Sequence, residues 1–185
     1  NSLTGNTSKE PPKEYVKNLF DDYAEKFNDS LVEKLQYKLP FIIKELIFKL
    51  NNTKSKFKKV IDLGCGTGLA GPDLSEVSDN LTGIDLSANM IDKARKLDIY
   101  DSLIVGDIVE KLELLEEKYD LFVALDVFIY IGEPTAFFNA VRKCCNKNSL
   151  FIFSTEDTSG DDFYLRKTGR FSHSNKYIVR IATKL

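Results

Sequence analysis

The chain has 185 residues, with 28 acidic side chains against 26 basic ones and a formal net charge of −2. That length suits one domain, and a hydrophobic fraction of 43% supplies a core, so wholesale disorder is excluded. The balanced charge disfavours nucleic acid as a partner bound through bulk positive charge. Cys65, Cys144 and Cys145 make no disulfide framework, which points to a reducing compartment, expected to be the cytoplasm. One histidine and no Cys-x-x-Cys leave almost no ligand set for a metal, and none is expected. The longest apolar run, Leu121 to Ile131, is cut by Asp126 and is far too short to span a bilayer. The chain starts without Met and without a signal pattern, and Asn1 is expected to be an internal residue exposed by cloning or trimming.

Residues 1–13 are polar, carry Pro11-Pro12, and read as a linker or tail. Residues 14–57 read as an N-terminal helical cap. Val16, Leu19, Phe20, Tyr23 and Phe27 have helical spacing. Ser30 to Glu33 fits a capping box for a second helix, and Pro40 starts a third through Leu50. From residue 58 the pattern alternates. Strands are expected at Lys59–Leu63, Leu81–Ile84, Leu103–Val105, Tyr119–Leu125 and Leu150–Ser154. Helices are expected at Leu69–Val77, Ser87–Leu97, Val109–Leu115, Pro134–Cys144 and His173–Leu185, with Thr155–Ser172 a loop or small excursion. Alternating strands and helices over residues 58–185 make this an α/β chain with a doubly wound, Rossmann-like parallel sheet.

The strongest local signal is Asp62-Leu63-Gly64-Cys65-Gly66-Thr67-Gly68, a buried strand running into three alternating glycines before a helix. Gly66-Thr67-Gly68-Leu69-Ala70-Gly71 also fits the dinucleotide fingerprint, and Asp85 follows Gly66 by 19 residues, as a ribose-binding acid would. A nicotinamide-dependent oxidoreductase is therefore one reading. Against it, Asp62 sits just before the glycines, where a carboxylate repels a pyrophosphate and attracts a cationic amine. A bare strand-to-helix turn with no ligand would not need three glycines and two placed acids.

The same residues resemble the first motif of class I S-adenosylmethionine-dependent methyltransferases. Gly83 to Met90, Gly106-Asp107-Ile108 and Tyr119 to Val123 resemble the next three motifs, in order and at the expected intervals. A narrower likeness, carried by Leu3-Thr4-Gly5, Tyr15-Val16, Leu19-Phe20-Asp21, Tyr23-Ala24, Phe27-Asn28, Leu31-Val32, Gly169 to Ser174 and Tyr177, is to methyltransferases joined behind tetratricopeptide repeats. It implies a possible upstream repeat domain. The class I fold has seven strands, so the terminal strands are expected to be missing from this chain.

The resemblance implies methyl transfer to an unidentified small-molecule or protein acceptor, with S-adenosylmethionine as cofactor. A non-catalytic cofactor-binding module is the remaining alternative. Asp85 would accept from the ribose hydroxyls, Leu86 and Met90 would sandwich the adenine, and Asp107 with the Ile108 N–H would meet its edge. Gly64, Gly66 and Gly68 would pass close to the methionine moiety, Asp62 would attract its ammonium, and Leu125 would face the sulfonium region. Tyr23 is expected in a lid over the site. Met90 could instead be core and Asp107 a helix cap.

Methyl transfer needs orientation more than covalent help. Candidate catalytic residues are Asp126 and Tyr130 after the fourth strand, and His173, the one imidazole. Each has a structural alternative: a cap or ion pair for Asp126, packing for Tyr130, a core role for His173. The basic stretch Phe163–Leu185 reads as a solvated face or as steering for an anionic substrate.

Overall fold

The computed structural model describes residues 13–23, 38–51 and 55–184. The tail, the helix expected from Ser30 and the position of Phe27 lie outside the described residues.

Helices α1 (Lys13–Tyr23) and α2 (Leu39–Leu50) precede the sheet. Pro40 sits in the first turn of α2, where its missing N–H costs nothing. Strand β1 (Val60–Leu63) is followed by α3 (Gly71–Glu76), β2 (Leu81–Asp85), α4 (Ala88–Arg95) and β3 (Ser102–Val105). Next come α5 (Ile108–Leu114), β4 (Tyr119–Ala124), a 3₁₀ turn at Phe128–Tyr130, α6 (Thr135–Lys143) and β5 (Cys145–Phe153). The five strands pair in parallel in the order β3-β2-β1-β4-β5. The order reverses between β1 and β4, which is where open α/β sheets form their ligand crevice.

Every residue of β1 is buried, because helices cover both faces. On one face Ile61, Leu63 and Ile84 pack with Leu112 of α5 and with Phe137, Phe138 and Val141 of α6. The ring of Phe128 lies at the centre of this layer, stacked 4.5 Å from Phe153 and edge-on at 5.0 Å to Phe137. On the other face Val60, Leu81 and Val123 pack with Leu74 of α3 and with Ile43 and Ile47 of α2. Asp62 and Gly83 lie on this second face, in register with each other.

The segment expected to be a loop holds a second sheet. Strands β6 (Glu156–Asp157), β7 (Phe163–Leu165) and β8 (Phe171–His173) pair in the order β6-β8-β7. A turn closed by the Gly169 N–H on the Arg166 carbonyl joins β7 to β8. His173 therefore ends a strand, and the last helix, α7 (Asn175–Ala182), starts two residues later with Ser174 as its cap. The sheet also turns the basic stretch inward on itself. Glu156 pairs with Arg166 and Arg170, Asp161 with Lys176, and Asp162 with Arg180. Arg166, Arg170, Lys176 and Arg180 are thus ion-paired with acids just before the stretch, as a solvated face would be. The further strands of a seven-stranded sheet are not among the described residues.

Candidate functional site

The glycine loop leaves β1 through three left-handed residues, Gly64 (φ 76°), Gly66 (φ 54°) and Gly68 (φ 86°). Its amides are used within the protein. The Gly64 and Cys65 N–H groups donate to the Ile84 carbonyl, and Gly68 donates to the Cys65 carbonyl. The Gly66 N–H donates to Asp85 Oδ2 at 2.8 Å. A loop with these amides engaged is a poor nest for a pyrophosphate, which needs such N–H groups free. At Gly64 a Cβ would collide with Val127, so that glycine also admits the 125–127 turn beside the loop.

Asp85 joins two elements. Its other oxygen, Oδ1, accepts the Ser87 N–H at 2.8 Å. The carboxylate thus ties the glycine loop to the start of α4. Ser87 is fully buried and caps α4 through its hydroxyl, which accepts the Met90 N–H at 3.1 Å. Asp21 and the Asn89 amide extend the join to α1: Ser87 donates to Asp21 Oδ1, and Asn89 Nδ2 donates to the Asp21 carbonyl at 3.2 Å. At its other side α1 places Phe20 edge-on to Tyr130, with centroids 5.4 Å apart. Helix α1 therefore bridges the β2–α4 and β4 sides of the crevice.

Asp62 is 2% exposed. Its Oδ2 accepts the Tyr100 hydroxyl at 2.8 Å. Burial pushes its carboxyl up to about 7, against the pull of the Tyr100 hydrogen bond, and the nearby Asp85 charge adds to the rise. Burial also raises Asp85, while the Ser87 and Gly66 N–H groups pull it back. Among the described residues no lysine or arginine pairs with either carboxylate. Two uncompensated, mutually repelling carboxylates at the crevice suit a cationic ligand.

The other expected site residues divide. Leu86, just after β2, and Ile108, the first residue of α5, are partly buried. Met90 is 0% exposed and sits under its own helix, the placement the core alternative describes. Asp107 caps α5, accepting the Glu110 N–H at 3.0 Å. Leu125 and Asp126 follow β4 directly. Asp126 has a left-handed backbone (φ 56°), unusual for a residue other than glycine, and the 125–126 corner is held by its N–H on Ser154 Oγ at 2.8 Å. Tyr23 is the last residue of α1, and its side chain lies outside the described residues.

His173 is buried beside the 3₁₀ turn, its ring 6.2 Å from that of Phe128. It is 1% exposed, Nε2 lies 3.2 Å from the Gly132 carbonyl, and Nδ1 lies 2.7 Å from Thr155 Oγ1. A carbonyl only accepts, so Nε2 carries the proton and Nδ1 accepts the hydroxyl. Both nitrogens are engaged by protein partners, in keeping with the core role weighed for this residue. Sequence reasoning missed Tyr100, Asp21 and Ser154. A signal for Tyr100 existed: Gly83 stands inside a strand, which marks a close approach by another group.

A family model described as a methyltransferase domain matches residues 61–153, half of the chain. A ubiquinone biosynthesis O-methyltransferase of Actinobacillus pleuropneumoniae serotype 7 is 24% identical over 106 residues, covering 53% of this chain and 45% of that one. The 18S rRNA (guanine-N(7))-methyltransferase RID2 of Arabidopsis thaliana is 27% identical over 145 residues, covering 72% and 50%. The chain spans about half the length of these curated relatives. In fold it is similar to the DhpI–SAM–HEP complex, with a TM-score of 0.71, 17% identity, and 97% and 90% of the two chains covered. It is also similar to the magnesium protoporphyrin IX methyltransferase of Synechocystis PCC 6803 with bound SAH, with a TM-score of 0.69, 16% identity, and 93% and 87% covered. By the match over residues 61–153, the chain belongs to the class I S-adenosylmethionine-dependent methyltransferases.

Proposed function

We propose that the protein binds S-adenosylmethionine in the β1–β4 crevice and transfers its methyl group to a small-molecule or protein acceptor. The observation that carries this reading is the buried carboxylate of Asp62 and the partly buried one of Asp85, beside a glycine loop whose amides are engaged. Such a site disfavours a dinucleotide and favours a ligand with positive charge. When bound, S-adenosylmethionine supplies an electrophilic methyl on a sulfonium.

The chain's own residues then hold and orient. Asp85 offers its remaining lone pairs to ribose hydroxyls while the Gly66 and Ser87 N–H groups fix its plane. Leu86 and Ile108 flank the base. Asp107, already committed as a cap, offers its carboxylate to the base edge. Gly64, Gly66, Gly68 and Asp62 form the end of the site that receives the ammonium. Leu125 closes the sulfonium side. Helix α1, with Tyr23 at its end, covers the crevice and excludes water. Asp126 and Tyr130 face the acceptor, and Ser154 steadies the Asp126 turn. Orientation of acceptor and methyl in line supplies most of the acceleration, with up to about 7–11 kcal/mol available from that source.

The likeness of residues 3–32 and 169–177 to the tetratricopeptide-linked group supports an upstream repeat domain as a partner within the natural chain. Three free thiols support a reducing compartment such as the cytoplasm. Among the described residues no helix is long and apolar enough to cross a membrane. Division at residues 13 and 57 into tail, cap and catalytic domain fits the position of α1 and α2 ahead of β1.

Calorimetry with S-adenosylhomocysteine tests the reading. The wild type is expected to bind, NAD is expected not to, and Asp85→Ala is expected to lose affinity by about tenfold or more, since it removes a charged acceptor. Unchanged binding by Asp85→Ala, or binding of NAD alone, would overturn it.

A further inference from the structure

Tyr100 lies outside all four methyltransferase-like motifs, in the segment between α4 and β3. Its ring nevertheless reaches the floor of the crevice. A Cβ placed on Gly83 would lie 3.0 Å from Tyr100 Cε1, 2.9 Å from Cys65 Sγ and 2.8 Å from Leu103 Cδ2. One placed on Gly71 would lie 2.9 Å from the Tyr100 hydroxyl, and one on Gly68 would lie 3.1 Å from its Cε2. The ring therefore shares, with Leu103, Leu97 and Ile99, the space left by three glycines, one each from β2, the glycine loop and the start of α3. The Gly83 backbone is not left-handed, so close approach rather than backbone conformation explains that glycine. The hydroxyl at the end of this ring makes the 2.8 Å bond to Asp62.

We propose that Tyr100 is a positioning residue of the cofactor site: it acts through Asp62, fixing the orientation and charge of that carboxylate beneath the glycine loop. The inference rests on the cofactor reading above. A buried carboxylate is costly unless its oxygens are satisfied. The groups facing Asp62 are Asp85 from β2, Cys65 from the glycine loop and Tyr100. Two of these are an acid and a thiol, and neither favours its charge. Tyr100 is the donor that does. Removing that hydroxyl leaves Asp62 with less reason to be ionised and with freedom to rotate away from the loop.

The test is S-adenosylhomocysteine binding by calorimetry from pH 6 to pH 9 in the wild type, Tyr100→Phe, Asp62→Asn and the double variant. Tyr100→Phe keeps the ring and the packing against the glycines, so the fold is retained. Its affinity at neutral pH is expected to fall about tenfold, the scale of one charge-assisted hydrogen bond. The midpoint of its affinity–pH curve is expected to move to higher pH, because the lost donor favoured the ionised acid. In the Asp62→Asn background the same substitution is expected to change affinity less than about twofold, since the interaction is already gone. A role in packing alone would move the melting temperature and leave the pH midpoint in place. Wild-type binding with an unshifted Tyr100→Phe curve overturns this proposal alone. A wild type that binds at no pH overturns the cofactor reading and this inference with it.

Discussion

The Ser87 hydroxyl donates to Asp21 Oδ1 at 2.5 Å while accepting the Met90 N–H at 3.1 Å, so one buried oxygen both caps α4 and fastens α1 to it. The same serine gives its backbone N–H to Asp85. The cap of a helix, the attachment of a cover and the orientation of the Asp85 carboxylate thus meet at one residue. Order in α1 is coupled to order in the crevice through two bonds.

Ser87→Ala separates these roles from the backbone. The N–H to Asp85 survives, while the cap and the bond to Asp21 are lost. Loss of the cap alone costs about 1 kcal/mol of stability. We expect a melting temperature lower by several degrees, read by circular dichroism. We also expect faster proteolytic cutting within α1, read by mass spectrometry. Asp21→Ala, which leaves the cap intact, is expected to speed cutting of α1 with little change in melting. Equal protection of α1 in all three proteins would show that it is held by other contacts.

The carboxyl of Asp62, pushed up to about 7 by burial, sets a pH dependence with a definite sign. The unfolded chain ionises this group near pH 3.9, and the folded chain holds its proton to about 7. Between those values the native state binds more protons than the unfolded one. Its stability from this group is therefore present at low pH and is lost as pH rises through the window. A cationic ligand has the opposite preference, since it favours the ionised acid. Binding of S-adenosylhomocysteine, whose amino group is charged, is expected to strengthen as pH rises toward 8 and to release protons near pH 7. Titrations in two buffers of different ionisation enthalpy read that release. Asp62→Asn is expected to abolish it and to flatten the stability profile between pH 4 and 7.

The parallel core was readable because its signals are local. Apolar runs such as Leu121–Ala124, the caps Ser87 and Asp107, and the glycine loop each fix their element within a few residues. The three-stranded sheet was not readable, since β6 is two residues long and β7 and β8 three each. Such strands are too short to show a period, and they exist through pairing with β8 and its packing on the 3₁₀ turn. His173 was misassigned to a helix for the same reason. Tyr100 shows a different limit. Its partner Asp62 is 38 positions away, and what joins them is an empty volume at Gly83, Gly71 and Gly68 that no residue-by-residue pattern displays. Asp85, by contrast, stands out by spacing and by its place in the second motif, though its bonds to Gly66 and Ser87 give it a structural duty that neither reveals.

His173 supplies a test that separates a core role from a catalytic one. Burial holds its imidazole below the ordinary histidine value, against the Gly132 carbonyl, which favours the charged ring. The sign follows from that lowered value. The unfolded chain takes up a proton near pH 6.5, whereas the folded one resists it. Stability from this group is present above that pH and is lost as pH falls through it. His173→Ala leaves the Gly132 carbonyl and the Thr155 hydroxyl without the ring, which costs about 1–3 kcal/mol for buried polar groups left unmade. We expect a lower melting temperature at neutral pH and a shallower loss of stability from pH 7 to pH 5. The pH dependence of S-adenosylhomocysteine binding is expected to match the wild type, because Thr155 and Gly132, rather than the crevice, hold the ring. A variant that melts like the wild type but loses one limb of its pH–rate profile with a methyl acceptor would return His173 to the catalytic machinery.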